Sequence, residues 1–289
     1  MGVTQLILKT IPKIREMIWG DRELGKLFGA KSEKPVGEVW LLSDHPLITT
    51  EVQTLSGKAL HINSVLESFN LNIERFPILL KLISAKEWLS IQVHPDDGFA
   101  RKIEKEPWGK TECWFFLKKS TIGLIPEKIN PDELPLKPDK IKKRLKILHP
   151  QYGDFLYIPA GTMHAIGPES MLIEIQQSSD LTYRVYDWER GRDLHIEKAV
   201  LVSKNVNIDN LIYRDFESFR SQYFHIYRVS GTTKILSNSI IVMLSNGEIN
   251  SHKTSKYETF LLLGKEITRI KGNALVIKPG QVWYSNSKQ

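Results

Sequence analysis

The chain has 289 residues, 41% hydrophobic and 25% charged with a formal net charge of +7, an ordinary globular balance able to bury one large core or two smaller ones. Its single cysteine, Cys113, excludes an internal disulfide and any multi-cysteine zinc site. No apolar run approaches the roughly 18 residues that a membrane helix requires, and Met1 to Lys9 lacks a basic segment leading into a long apolar one, so a cytoplasmic protein without membrane contact is expected.

Taken in chain order, helical signals are sparse, while short β-rich runs punctuated by Gly, Pro, Asn and Asp recur. The pattern predicts a mainly β barrel or sandwich, with strands at 37–42, 79–94, 111–117, 154–158, 162–166, 171–177 and 182–188. Helices are expected at 62–69, 97–105, 196–202 and, more weakly, 138–145. The densest basic cluster, Lys137 to Lys146, is interleaved with Ile141 and Leu145 and reads as a solvated helix face, not a nucleic-acid surface. A modest positive field would still attract an anionic small molecule.

From about 204 to 223 the pattern loosens, which places a domain boundary near 210 and leaves a smaller β domain at 211–289. Residues 272–280 can be laid over 153–161, both reading as turn, short strand and turn. In that overlay Trp283 falls where His164 stands, and His252 lies too close to Glu258 to match the wider spacing of His94 and Glu112. The smaller domain is therefore expected to carry no metal, leaving any chemistry to 1–210.

The chemistry concentrates in three segments. In Trp88 to Asp97, Leu89, Ile91 and Val93 alternate with Ser90, Gln92 and His94, so a strand would present the polar set to one face. Glu112 opens the apolar run Cys113-Trp114-Phe115-Phe116, where a buried carboxylate needs a cation or several donors. His164 follows the Pro159-Ala160-Gly161 turn. Two imidazoles and a carboxylate make a first shell for a divalent transition ion, and Gln92 would add a fourth oxygen. Taken singly, each has an ordinary structural use: hydrogen-bonded histidines, and Glu112 as a salt-bridge partner of Lys110 or Arg184.

These residues sit in longer stretches that resemble the type I mannose-6-phosphate isomerases, particularly the shorter bacterial and archaeal forms. The stretches are Gln92-Val93-His94-Pro95-Asp96-Asp97, Gly109 to Trp114, Pro159 to Ala165 and Thr182 to Asp187, with Ile18-Trp19-Gly20 and Gly37 to Trp40 before them. Over roughly residues 10 to 200, the resemblance implies a cupin barrel, one zinc or other divalent ion per chain, and interconversion of mannose 6-phosphate and fructose 6-phosphate. It makes His94, Glu112 and His164 metal ligands, Gln92 a further ligand and Arg184 the active-site arginine, which without it reads as a partner for Asp187 or Glu189. The proton-transfer group stays open among Lys110, Glu174 and Asp187. Because 117–153 is short for the family, the site rim is trimmed and specificity could extend to glucose 6-phosphate; a non-catalytic sugar-phosphate-binding cupin is the other alternative. The implied partner is a small sugar phosphate, in a monomer or homodimer.

Overall fold

The protein is described by a computed structural model covering residues 6–285 apart from 134–137, 237 and 265, so Lys137 of the basic cluster lies outside the described residues. The chain divides into two compact units, neither continuous in sequence. One comprises the chain up to Lys13, Trp40–Leu79 and everything from Phe216 onward; the other comprises Ile14–Val39 and Leu80–Asp215.

Most of the second unit's strands lie in two sheets. The larger runs in the order Ile212–Tyr213, Phe155–Ile158, Glu112–Phe116, Ser170–Gln177, Ile78–Ala85, Val36–Leu42, Lys13–Asp21. The smaller runs Lys146–Leu148, Ile122–Ile125, Met163–Ile166, Ile91–Val93, Tyr183–Tyr186. A core of Trp19, Ile83, Trp114, Phe116, Leu124 and Ile166 draws on both sheets. Each large side chain buried there contributes on the order of 1.5–3 kcal/mol. On the smaller sheet, Ile91 and Val93 pack with Ala199 and Val202 of the helix Ile196–Val202, which leaves Gln92 on the opposite face by the two-residue period.

Two expectations change here. The predicted strand at 79–94 is two strands, Ile78–Ala85 and Ile91–Val93, because the chain turns at the exposed pair Lys86 and Glu87, whose N–H groups both donate to Trp19 O. Alternation therefore does not reach Leu89, which packs in the Trp19 core instead of beside Ile91 and Val93. The predicted helix at 62–69 is two short 3₁₀ turns, Ile62–Val65 and Glu67–Phe69, ending at Asn70 with φ 56°. Ile62, Asn63, Ser64 and Val65 are all weak α-helix formers, and Asn tolerates the left-handed stop.

In the first unit, the strand Leu6–Ile11 pairs with Thr259–Leu263 on one side and Glu51–Thr54 on the other, so the C-terminal β block is completed by N-terminal strands. Ala274–Pro279 is a strand, as the overlay on 153–161 expects, but the chain then enters the helical turn Val282–Ser285. Trp283 spends its indole N–H on Tyr223 O at 2.9 Å, and Glu258 ion-pairs with Lys9 at 2.5 Å. No helix among the described residues is long and apolar enough to cross a membrane.

Candidate metal centre

His164, Gln92 and Arg184 lie in one row across three adjacent strands, since Gln92 is the register partner of His164 on one side and of Arg184 on the other. His94 follows directly after the Gln92 strand, and its carbonyl accepts the N–H of Gly161 at 2.9 Å. That contact ties His94 to the turn that delivers His164, and Gly161 occupies φ 96°, where a side chain would be strained. Glu112 reaches the same point from the larger sheet, registered with Gln176 and Ile158.

The three side chains are buried, and their ligand atoms lie within 4.8 Å of one another. His164 Nε2 is 3.3 Å from Glu112 Oε1, and His94 Nε2 is 3.5 Å from Glu112 Oε2. Ligands about 2.0–2.2 Å from a tetrahedral ion are separated by roughly 3.3–3.6 Å, so these spacings fit one. Both rings are oriented for it. His94 Nδ1–H donates to Leu181 O at 2.8 Å and His164 Nδ1–H to Thr162 O at 3.0 Å, which leaves both Nε2 lone pairs facing Glu112. Burial, then Lys110, pushes His164 down to about 4, and the same two causes take His94 well below its ordinary range, so both rings are neutral near pH 7.

Glu112 is 0% exposed, and its Oε1 receives no hydrogen bond. Lys110 Nζ ion-pairs with Oε2 at 2.7 Å. Lys110 meets only one of the two oxygens, so burying the other is costly unless a further cation reaches it, and the neutral imidazoles around it are what a divalent ion requires. The His–Glu–His set therefore could hold a metal. Gln92 reaches it as well: its amide nitrogen is 3.3 Å from His164 Nε2 and its oxygen accepts from Ser90 Oγ at 3.1 Å, so rotation of the amide would turn the oxygen inward.

The loop before Glu112 is set by Gly109, where a Cβ would fall 2.2 Å from Pro95 O. Gly109→Ala should therefore push Lys110 and Glu112 away from His94 and lower the metal content of purified protein at least about tenfold; wild-type content would show that the loop has room to move.

The remaining predicted residues separate clearly. Lys110, Glu174, Gln92 and Arg184 line one cleft of about 350 Å³. Burial alone would lower Lys110, but Glu112 and Glu174 outweigh it and the net shift is upward, so the ammonium stays protonated. Glu174 lies 3.5 Å from Lys81 and 3.9 Å from Lys110 and accepts the Trp114 indole N–H at 3.3 Å; burial raises its carboxyl against the pull of Lys110. Among the described residues the Arg184 guanidinium makes no hydrogen bond or ion pair. Asp187 is committed to Arg192 at 2.5 Å and is not among the residues lining the cleft.

Sequence reading missed Arg15, Glu38, Lys81 and Asp180, which line the same cleft, with Lys81 3.8 Å from Glu38 and 3.9 Å from Asp180. Lys81 was the available signal, a lone cation inside Ile78-Leu79-Leu80-Lys81-Leu82-Ile83.

Two packed β-sheets around a buried His–Glu–His cluster define a cupin barrel. Residues 7–110 match the family described as phosphomannose isomerase type I, catalytic domain. A mannose-6-phosphate isomerase from Streptococcus mutans is 34% identical, over 81% of this chain and 82% of that protein. The crystal structure of the mannose 6-phosphate isomerase from Bacillus subtilis superposes with a TM-score of 0.79 at 29% identity, covering 94% of this chain and 98% of that one. The chain belongs to the type I phosphomannose isomerase family. At 14% identity and TM-score 0.70, a mannose 6-phosphate isomerase bound with zinc and yttrium shares the fold.

Proposed function

We propose that this protein is a metal-dependent aldose–ketose isomerase interconverting mannose 6-phosphate and fructose 6-phosphate, with zinc held by His94, Glu112 and His164 and with Gln92 as a further ligand. The observation that carries this reading is Glu112, a fully buried carboxylate that faces two neutral imidazole nitrogens and whose Oε1 has no hydrogen-bond donor. The names of the relatives and the zinc-bound structure of the same fold support the substrate and the metal.

Aldose–ketose exchange moves a proton between C2 and C1 through an enediolate, so negative charge develops on oxygen. A divalent ion supplies Lewis acidity toward the sugar oxygens. Lys110, held protonated, donates to the oxygen on which charge appears. Glu174, raised by burial and lining the cleft, carries the proton between the two carbons. Arg184, an unpaired fork at the end of the Gln92 row, stabilises the enediolate from the other side. We assign this chemistry to residues before about 210 and no metal to 211–289. The short 117–153 segment favours a broader substrate range, so glucose 6-phosphate belongs in the same assay.

The test is a coupled assay for mannose 6-phosphate isomerisation before chelation, after it, and after zinc is restored. Turnover should fall at least about a hundredfold on chelation and return with zinc. Metal-loaded protein that turns over no mannose 6-phosphate would end the proposal.

A further inference from the structure

The outer part of the cleft carries donors to which the proton transfer assigns no work. His195 and Arg184 are joined by two hydrogen bonds: His195 N–H donates to Arg184 O at 2.8 Å, and Arg184 N–H donates to His195 Nδ1 at 3.2 Å. Because Nδ1 is an acceptor, the neutral ring must carry its proton on Nε2. That N–H meets no hydrogen-bond acceptor among the described residues, and His195 lines the cleft. Burial, then Arg184 and Lys198, lowers the imidazole's pKa, so it remains a neutral donor near pH 7.

Arg192 enters the same cleft with Nε and Nη2 bound to Asp187 at 2.8 and 2.5 Å, which fixes the guanidinium plane and leaves the Nη1 hydrogens unspent. Two guanidinium groups therefore converge on one half-buried space, an arrangement that repels itself until an anion enters. The nearby carboxylates are occupied. Glu104 holds Lys198 at 2.8 Å and the Tyr183 hydroxyl at 2.6 Å, Asp180 faces Lys81, and Asp193 is exposed.

We propose that His195 Nε2–H and the Nη1 hydrogens of Arg192 together seat the phosphoryl group of the substrate, a phosphate monoester dianion. Spacing supports this. Arg184 lies two strands from His164, about 10 Å at the usual strand separation, and His195 lies one step beyond. An open-chain hexose 6-phosphate has its reacting carbons at one end and its phosphoryl group at the other, so it can span from the triad to this group. The inference rests on the isomerase reading for its substrate.

His195→Asn separates the two uses of the ring, because the Asn oxygen replaces Nδ1 as acceptor for the Arg184 N–H while the Nε2–H donor is lost. The variant should raise KM for mannose 6-phosphate and the inhibition constant of inorganic phosphate about tenfold, with kcat within about twofold and metal content unchanged. Arg192→Ala should raise both constants about 10- to 100-fold. Unchanged constants in His195→Asn, in a protein that still isomerises mannose 6-phosphate, would overturn this assignment and leave the isomerase reading standing. Should the metal-loaded wild type show no turnover, that reading falls alone, and calorimetric titration with inorganic phosphate decides the anion seat. Binding lost in His195→Asn supports the seat; no binding by the wild type, or equal binding by the variant, overturns it.

Discussion

Glu112→Gln should abolish zinc-dependent stabilisation and cut zinc affinity by more than about a hundredfold, because even partners outside the ligand shell cost 10–100-fold when removed. The substitution is nearly isosteric, so its effect is electrical. It removes the negative charge that sits 3.3 Å from His164 Nε2 and 3.5 Å from His94 Nε2 and that offsets Lys110 at 2.7 Å. Zinc at a hundred times its dissociation constant stabilises a folded wild-type protein by about 2.7 kcal/mol, which appears as a rise in Tm, and the variant should show none of it. Turnover falls with the metal. In the metal-free protein, Lys110 keeps His94 Nε2 at 3.2 Å and Glu174 at 3.9 Å but loses its closest carboxylate, so the variant should also unfold at a lower temperature than the chelated wild type. An equal zinc-induced rise in Tm in both proteins would show that Glu112 is not a ligand.

The triad was legible because its parts are local. Gln92 and His94 share a face by the period of two, Glu112 is conspicuous as a carboxylate opening an apolar strand, and His164 follows a Pro/Gly turn whose geometry hydrogen bonds complete within a few residues. Residues that depend on which distant strands become neighbours were not legible. Lys81, Glu38 and Arg15 reach the cleft only because Ile78–Ala85, Val36–Leu42 and Lys13–Asp21 line up beside Ser170–Gln177 in one sheet, and no local pattern encodes that order. The same holds for Leu6–Ile11, whose partner Thr259–Leu263 lies at the far end of the chain. Leu89 misled for a different reason: alternation continues on paper through a segment that is not a strand.

Arg184→Ala should lower kcat/KM by at least about 10² to 10³, the range for loss of one preorganised donor at a developing oxyanion, while zinc content and the zinc-induced rise in Tm stay at wild-type values. The fold should tolerate the change, because the guanidinium makes no hydrogen bond or ion pair among the described residues. What anchors residue 184 is its backbone, through the two hydrogen bonds to His195 and the register with Gln92, and alanine keeps all of these. Arg184→Lys should recover only part of the loss, since an ammonium restores charge without the planar fork that grips two oxygens. Set beside Glu112→Gln, the variant separates two functions of one cleft. Metal loss in Arg184→Ala would mean that the Gln92 row is held by this side chain, and undiminished turnover would remove Arg184 from the chemistry and leave the proton transfer to Lys110 and Glu174.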